Sequence, residues 1–243
     1  MRFRQASLSL VCLAIAIGVW ATPLSAQPQA IAPPVEVAKV FPDVHLRLPD
    51  WVEPEIAEAF GKPATLVIKD AEEQMRFAIW LSRQNVEHGT GGPFGAAIFE
   101  IESGRLVAPG VNLVVPQHCS VAHGEFTALT VAEQRVQSFD LGAKGLPRMR
   151  LVTSSQPCVQ CFGMTHWSGV TELVYGARAR DVERITGFDE GPLPENWEKR
   201  LADRSPLPPV RVEGGVLEAE AQAVLELYME RAGKVYNAGS GGE

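Results

Sequence analysis

Apolar residues recur along this chain at two different spacings, and each switch between them marks a change of element. From Asp70 to His88, Met75, Ile79, Ser82 and Val86 fall three or four residues apart, with Phe77 and Leu81 widening the apolar face and Gly89 supplying a stop. That spacing predicts a long helix. Gly91 to Phe99 and Arg105 to Val115 are short apolar runs around the turn Glu102-Ser103-Gly104, which predicts two joined strands. A second helix is predicted from Val121 to Gln137, a third strand from Arg148 to Ser154, and a short helix opened by Pro157 and running to Trp167. Thr171 to Gly176 is a fourth strand, Ala179 to Ile185 a helix, and Val210 to Val212 a fifth strand. Leu217, Ala221, Val224, Tyr228 and Arg231 trace a last helix. Strands alternating with helices predict a three-layer α/β/α sandwich around a central mixed five-stranded sheet.

Two stretches resist this reading. Val35 to Lys69 carries scattered prolines and weak periodicity, and is expected to wrap an edge of the domain. Gly187 to Pro209 is irregular and proline-rich, long enough to act as a substrate lid.

The first residues are of another kind. Arg2 and Arg4 precede an uncharged apolar stretch from Leu8 to Trp20 and then Pro23-Leu-Ser-Ala26, the pattern of a secretory signal peptide cut after Ala26. The apolar stretch is shorter than the roughly 20 residues of a spanning helix, so export without stable membrane insertion is expected. The organisation is then a signal peptide (1–26), a leader and N-terminal extension (27–69), one domain (70–237) and a flexible tail (238–243). The mature chain would be periplasmic or secreted.

Composition narrows the partners. Of 243 residues, 46% are hydrophobic and 21% charged, as in an ordinary globular domain. With 22 Lys and Arg against 29 Asp and Glu, and no basic run, nothing grips a phosphate backbone, which argues against a nucleic-acid polymer. Cys12 leaves with the signal, and the three cysteines left, Cys119, Cys158 and Cys161, do not make a disulfide framework.

The chemistry concentrates in Val121-Ala-His-Gly-Glu-Phe126 and Gln156-Pro-Cys-Val-Gln-Cys161. Cys158 and Cys161, three apart, share one helix face in a first turn whose exposed amides favour thiolates. With His123 they offer three donors to a zinc ion and leave a position for water, the arrangement of a catalytic site. Glu125, two residues from His123, is placed to move protons between that water and a leaving amine. His-x-Glu followed by Pro-Cys-x-x-Cys is the signature of the zinc nucleobase deaminases. Other readings stand beside it: a redox disulfide, which leaves His123 and Glu125 unexplained, and a closed structural zinc site with Cys119 as fourth ligand. Cys119 otherwise reads as a buried thiol, and His166 as packing or a support to the ligands.

Asp70 to Asn237 resembles the cytidine-deaminase-like superfamily, and within it the bacterial guanine deaminases. The matching pieces are "GGPFGAAIF" (Gly91 to Phe99), "GVNLVVPQ" (Gly110 to Gln117), "AHGEFTAL" (Ala122 to Leu129), "TSSQPCVQCFGMTHWSGV" (Thr153 to Val170), "GFDEGPLPENW" (Gly187 to Trp197) and "VYNA" (Val235 to Ala238). The family usually has alanine where Gly124 stands. The resemblance implies deamination of a purine base, guanine to xanthine, with another base, a nucleoside, an aminotriazine or a pterin as the alternative substrate. A non-catalytic zinc- or purine-binding role on the same scaffold is a further alternative. The resemblance also implies that Phe94 stacks on the purine, Asn112 hydrogen-bonds it, Glu190 contacts the base edge and assists proton transfer, and Trp167 walls the pocket. Tyr236 would close over the substrate, and a homodimer is implied, with exchanged C-terminal segments in some members.

Overall fold

A computed structural model describes residues 45–239. The expected signal peptide (1–26), residues 27–44 and the last four residues lie outside them.

The chain enters through α1 (Val52–Ala59), a helix whose Val52 and Ile56, one turn apart, are its buried residues. It carries Trp51 and Phe60 onto Trp80 and Phe77 of α2 (Ala71–Glu87), with ring centroids 5.0 to 6.5 Å apart. Asp70 caps α2 by accepting from the Glu73 amide. Between the two helices, Leu66 to Ile68 lie against the start of the second strand, where the Leu106 amide donates to Leu66 O and the Ile68 amide to Gly104 O. The extension expected to wrap an edge therefore contains a helix and a short piece of edge pairing.

Five strands follow: β1 (Gly95–Glu100), β2 (Leu106–Val111), β3 (Met149–Ser155), β4 (Glu172–Ala177) and β5 (Arg211–Gly214). Their order is β2-β1-β3-β4-β5, antiparallel between β1 and both its neighbours and parallel from β3 to β5. This is the mixed sheet that the sequence predicts. β1 and β2 are buried at every position, which explains their continuous apolar runs: both faces are covered. Alternate residues serve separate cores. Ala97, Phe99, Val152 and Val174 join α2 and the helices α5 (Ala179–Thr186) and α7 (Glu218–Glu230). Ala96, Ile98, Leu151 and Leu173 join α3 (Gly124–Val136). The partly buried Phe162 and Met164 of α4 (Val159–Trp167), with Leu201 of α6 (Trp197–Ala202), complete that layer. Each fully buried large apolar side chain contributes about 1.5–3 kcal/mol.

The expected lid from Gly187 to Pro209 thus holds a short helix, α6, anchored by Leu201 and by Tyr175, whose hydroxyl donates to Glu198 at 2.9 Å. Arg150, on β3, donates to Glu172 of β4 and Gln74 of α2, tying sheet to helix through a largely buried ion pair.

Candidate active site

Two helix starts converge beyond the ends of β1 and β3. His123 is the N-cap of α3 and Cys158 the N-cap of α4, both in extended backbone, so each points its side chain off the end of its helix. The helices begin three and two residues later than the predicted starts at Val121 and Pro157, and Cys161 falls in the first full turn of α4. The three donors meet: Cys158 Sγ lies 3.4 Å and Cys161 Sγ 3.6 Å from His123 Nδ1, and all three atoms lie within 4.8 Å of one another. Cys119 is not in the group and is half-buried.

Charge at this junction is set by burial and mutual contact. The Cys158 thiol is pushed down to about 4, chiefly by the hydrogen bond from Cys161 and then by His123, despite burial. Cys161 is raised well above the usual thiol range by its bond to Cys158 and by burial. One thiolate is thus shared by the pair. For His123 burial works to lower the imidazole, but the bond and charge of Cys158 outweigh it and the net direction is up. Burial raises Glu125, with the Cys158 charge adding to it.

A cavity of about 320 Å³ opens beside the trio. Glu125, only 5% exposed, lines it together with His123, Cys158, Phe94, Glu190 and Tyr236. Glu190 is raised to about 9, first by burial and then by the Cys158 and Glu125 charges. Among the described residues, no lysine or arginine lines the cavity. Phe188 was missing from the residues singled out in the sequence, yet it holds the aromatic wall together. Its ring centroid lies 5.4 Å from that of Phe94 and 4.6 Å from that of Tyr236.

A model of the cytidine and deoxycytidylate deaminase zinc-binding region matches residues 68–177. The guanine deaminase of Bacillus subtilis (strain 168) is 32% identical over 134 residues, which span 55% of this chain and 81% of that relative. The chain belongs to the cytidine and deoxycytidylate deaminase family. Among solved structures, the guanine deaminase from Nitrosomonas europaea is similar with a TM-score of 0.68 at 44% identity, covering 76% of this chain and 96% of its own. NE0047 in complex with 2,6-diaminopurine is similar with a TM-score of 0.70 at 45% identity, covering 80% and 96%.

The matched stretch contains His123, Glu125, Cys158 and Cys161. Phe188 and Glu190, in an acidic loop (187–191), and Tyr236 and Asn237, in the tail, lie beyond the matched stretch. The other residues singled out in the sequence fall in different places. Asn112 is 1% exposed; its Oδ1 accepts from the amides of Gly92 and Val114 at 3.4 and 3.3 Å, and its side chain faces the Tyr236 hydroxyl. Trp167 needs correcting: it is 76% exposed and lines a different depression with Phe139 and Leu207, not the cavity. Six residues separate it from Cys161, about 240° around α4, so the two side chains leave the helix in different directions.

Proposed function

We propose that the protein is a zinc-dependent guanine deaminase, hydrolysing guanine to xanthine and ammonia. The observation that carries this is one cavity beside a His/Cys/Cys donor trio, lined by the carboxyl group of Glu125 and an aromatic wall. Deaminase relatives of the same machinery named for guanine, and NE0047 variants solved with 8-azaguanine, support the choice of base.

The trio fits zinc. Bonds of about 2.0–2.3 Å to imidazole and thiolate give tetrahedral edges of roughly 3.3–3.8 Å, and the measured separations from Nδ1 are 3.4 and 3.6 Å. The charge fits as well, because two thiols and Glu125 are gathered and, among the described residues, no lysine or arginine lines the cavity to offset them. His123, Cys158 and Cys161 would hold the ion. When bound, zinc supplies Lewis acidity and lowers the pKa of coordinated water to about 7.

The chain's own groups do the rest. Glu125 takes a proton from the attacking water and delivers it to the amine that leaves the ring, a shuttle suited to a carboxyl group whose pKa burial has raised. Phe94 stacks on the purine, and Asn112 presents a donor to it from an amide orientation locked by two backbone bonds. Glu190 holds or yields a proton at the base edge. Phe188 and Tyr236 exclude water from that side.

Export completes the reading. The basic start, the apolar stretch from Leu8 to Trp20 and the small residues before Gln27 support removal of residues 1–26 and a periplasmic or secreted enzyme, and the family resemblance supports a homodimer. The tail carrying Tyr236 lies across this chain's own cavity, so an exchange of tails is not needed to complete the site.

The test is ammonia release by mature protein starting at Gln27, with metal content measured on the same sample. Guanine, adenine, cytosine, guanosine, cytidine and an aminotriazine are compared. Rapid, chelator-sensitive release from guanine is the expected result; faster turnover of another substrate overturns the assignment of the base, and silence on all of them with one zinc bound overturns the reaction.

A further inference from the structure

The C-terminal tail is fastened at three successive points, and the last of them joins two parts of the site. After α7 the chain turns back, with the Gly233 amide donating to Tyr228 O at 2.9 Å and the Tyr228 hydroxyl to Lys234 O at 2.7 Å. Tyr236 then enters a socket beside Gly92. A methyl group on Gly92 would lie 2.4 Å from the Tyr236 hydroxyl oxygen and 3.1 Å from Asn112 Oδ1, so the phenol fills the space which that residue leaves open.

Asn237, one residue on, bonds the acidic loop. Its Oδ1 accepts from the Asp189 amide at 2.9 Å, and its Nδ2 donates to Gly187 O at 2.8 Å. A planar amide bonded at both ends cannot rotate without breaking one bond, so it fixes distance and orientation together. The loop it holds is already folded on itself, since Asp189 Oδ1 accepts from the Gly191 amide at 2.8 Å. From there the Glu190 carbonyl accepts from the amide of Val159 at 3.0 Å, the residue directly after Cys158. Tail, acidic loop and metal-binding helix form one hydrogen-bonded series.

We infer that Asn237 is a positioning residue: its side-chain amide clamps the tail to the acidic loop, so that Tyr236 and Glu190 are set over the cavity as one unit. The inference rests on the proposed purine site for its kinetic consequence, while the clamp itself is independent of substrate. Losing two such bonds shifts tail opening by roughly ten-fold.

Asn237→Ala removes both bonds at a tail position and leaves the core intact. Trypsin cleavage after the exposed Lys234, read by mass spectrometry as release of residues 235–243 from ligand-free protein, is expected to quicken about ten-fold. For guanine, KM is expected to rise and kcat to fall together, with zinc content and Tm unchanged. Parental cleavage and parental kinetics in the variant overturn the clamp. A fall in Tm and zinc content that accounts for the lost activity overturns the positioning role. Should the parent protein fail to turn over guanine, the cleavage comparison still decides whether the clamp exists.

Discussion

Gly110 sits in β2 where α3 crosses the sheet, and the site depends on how closely they approach. A methyl group there would lie 2.4 Å from both Ala128 N and Gly124 O and 2.7 Å from Ala128 Cβ. These are mostly backbone atoms of the first turn of α3, so no side chain can swing aside. Ordinary contact begins near 3.4 Å, so Gly110→Ala must push the helix start back by about 1 Å. Overpacking of this kind costs about 1–3 kcal/mol, which lowers Tm by roughly 2–12 °C in a domain of this size. The larger effect is local. Gly124 lies between His123 and Glu125, and a displacement of about 1 Å carries both away from Cys158 and Cys161, with a loss of about 100-fold in kcat. The assay is guanine turnover, zinc content and thermal unfolding of Gly110→Ala beside Gly163→Ala. Gly163, inside α4, has nothing within 4 Å of an added methyl group, and alanine there is expected to gain up to about 1 kcal/mol of helix stability. A Gly110→Ala protein with parental Tm, zinc content and rate would refute the close-approach reasoning.

Other outcomes follow from individual residues. Glu125→Gln is expected to keep its zinc, measured by elemental analysis, and lose turnover by at least about 100-fold; full activity would remove Glu125 from the mechanism. Trp167→Ala should leave KM for guanine unchanged, because the side chain is exposed outside the cavity. Chelation should abolish ammonia release and make Cys158 and Cys161 titratable with a thiol reagent, whereas a disulfide site would show no gain in free thiols. Arg105 holds the Glu100 carboxyl below its ordinary 4.5, helped by Ser103 and opposed by burial. The stability this lends is full above about pH 4.5 and is lost as the pH falls through the lowered value. The gap in Tm between parent and Arg105→Met should therefore be constant at neutral pH and close in acid.

The sheet and most helices were legible because burial on both faces leaves a strong trace. Phe99 and Val174 sit in unbroken apolar runs, and α2 repeats its apolar face over 17 residues. The His/Glu and Cys/Cys halves of the site were legible for a different reason: the chemistry needs those residue types at those spacings. What escaped was short. α1 buries only Val52 and Ile56 and has Pro54 in its first turn; α6 buries only Leu201. Neither run is long enough to show a period. Trp167 was misplaced because a motif read as a string does not say which side of the helix each letter faces. Phe188 and Asn237 lay inside stretches already noticed, "GFDEG" and "VYNA", but their roles come from contacts across about 50 residues of chain, which no local pattern encodes.

The metal-binding group is split unevenly along the chain. Cys158 and Cys161 are neighbours from the start, while His123 stands 35 residues before the first of them and joins only when α3 docks against β2. A chain that crosses a membrane unfolded would arrive in an oxidising space with its two thiols paired and its imidazole still remote. Metal capture and disulfide closure then compete for the same sulfur atoms, and the docking of one helix decides the winner. Gly110, by governing that docking, would influence the yield of active enzyme long before any substrate is met.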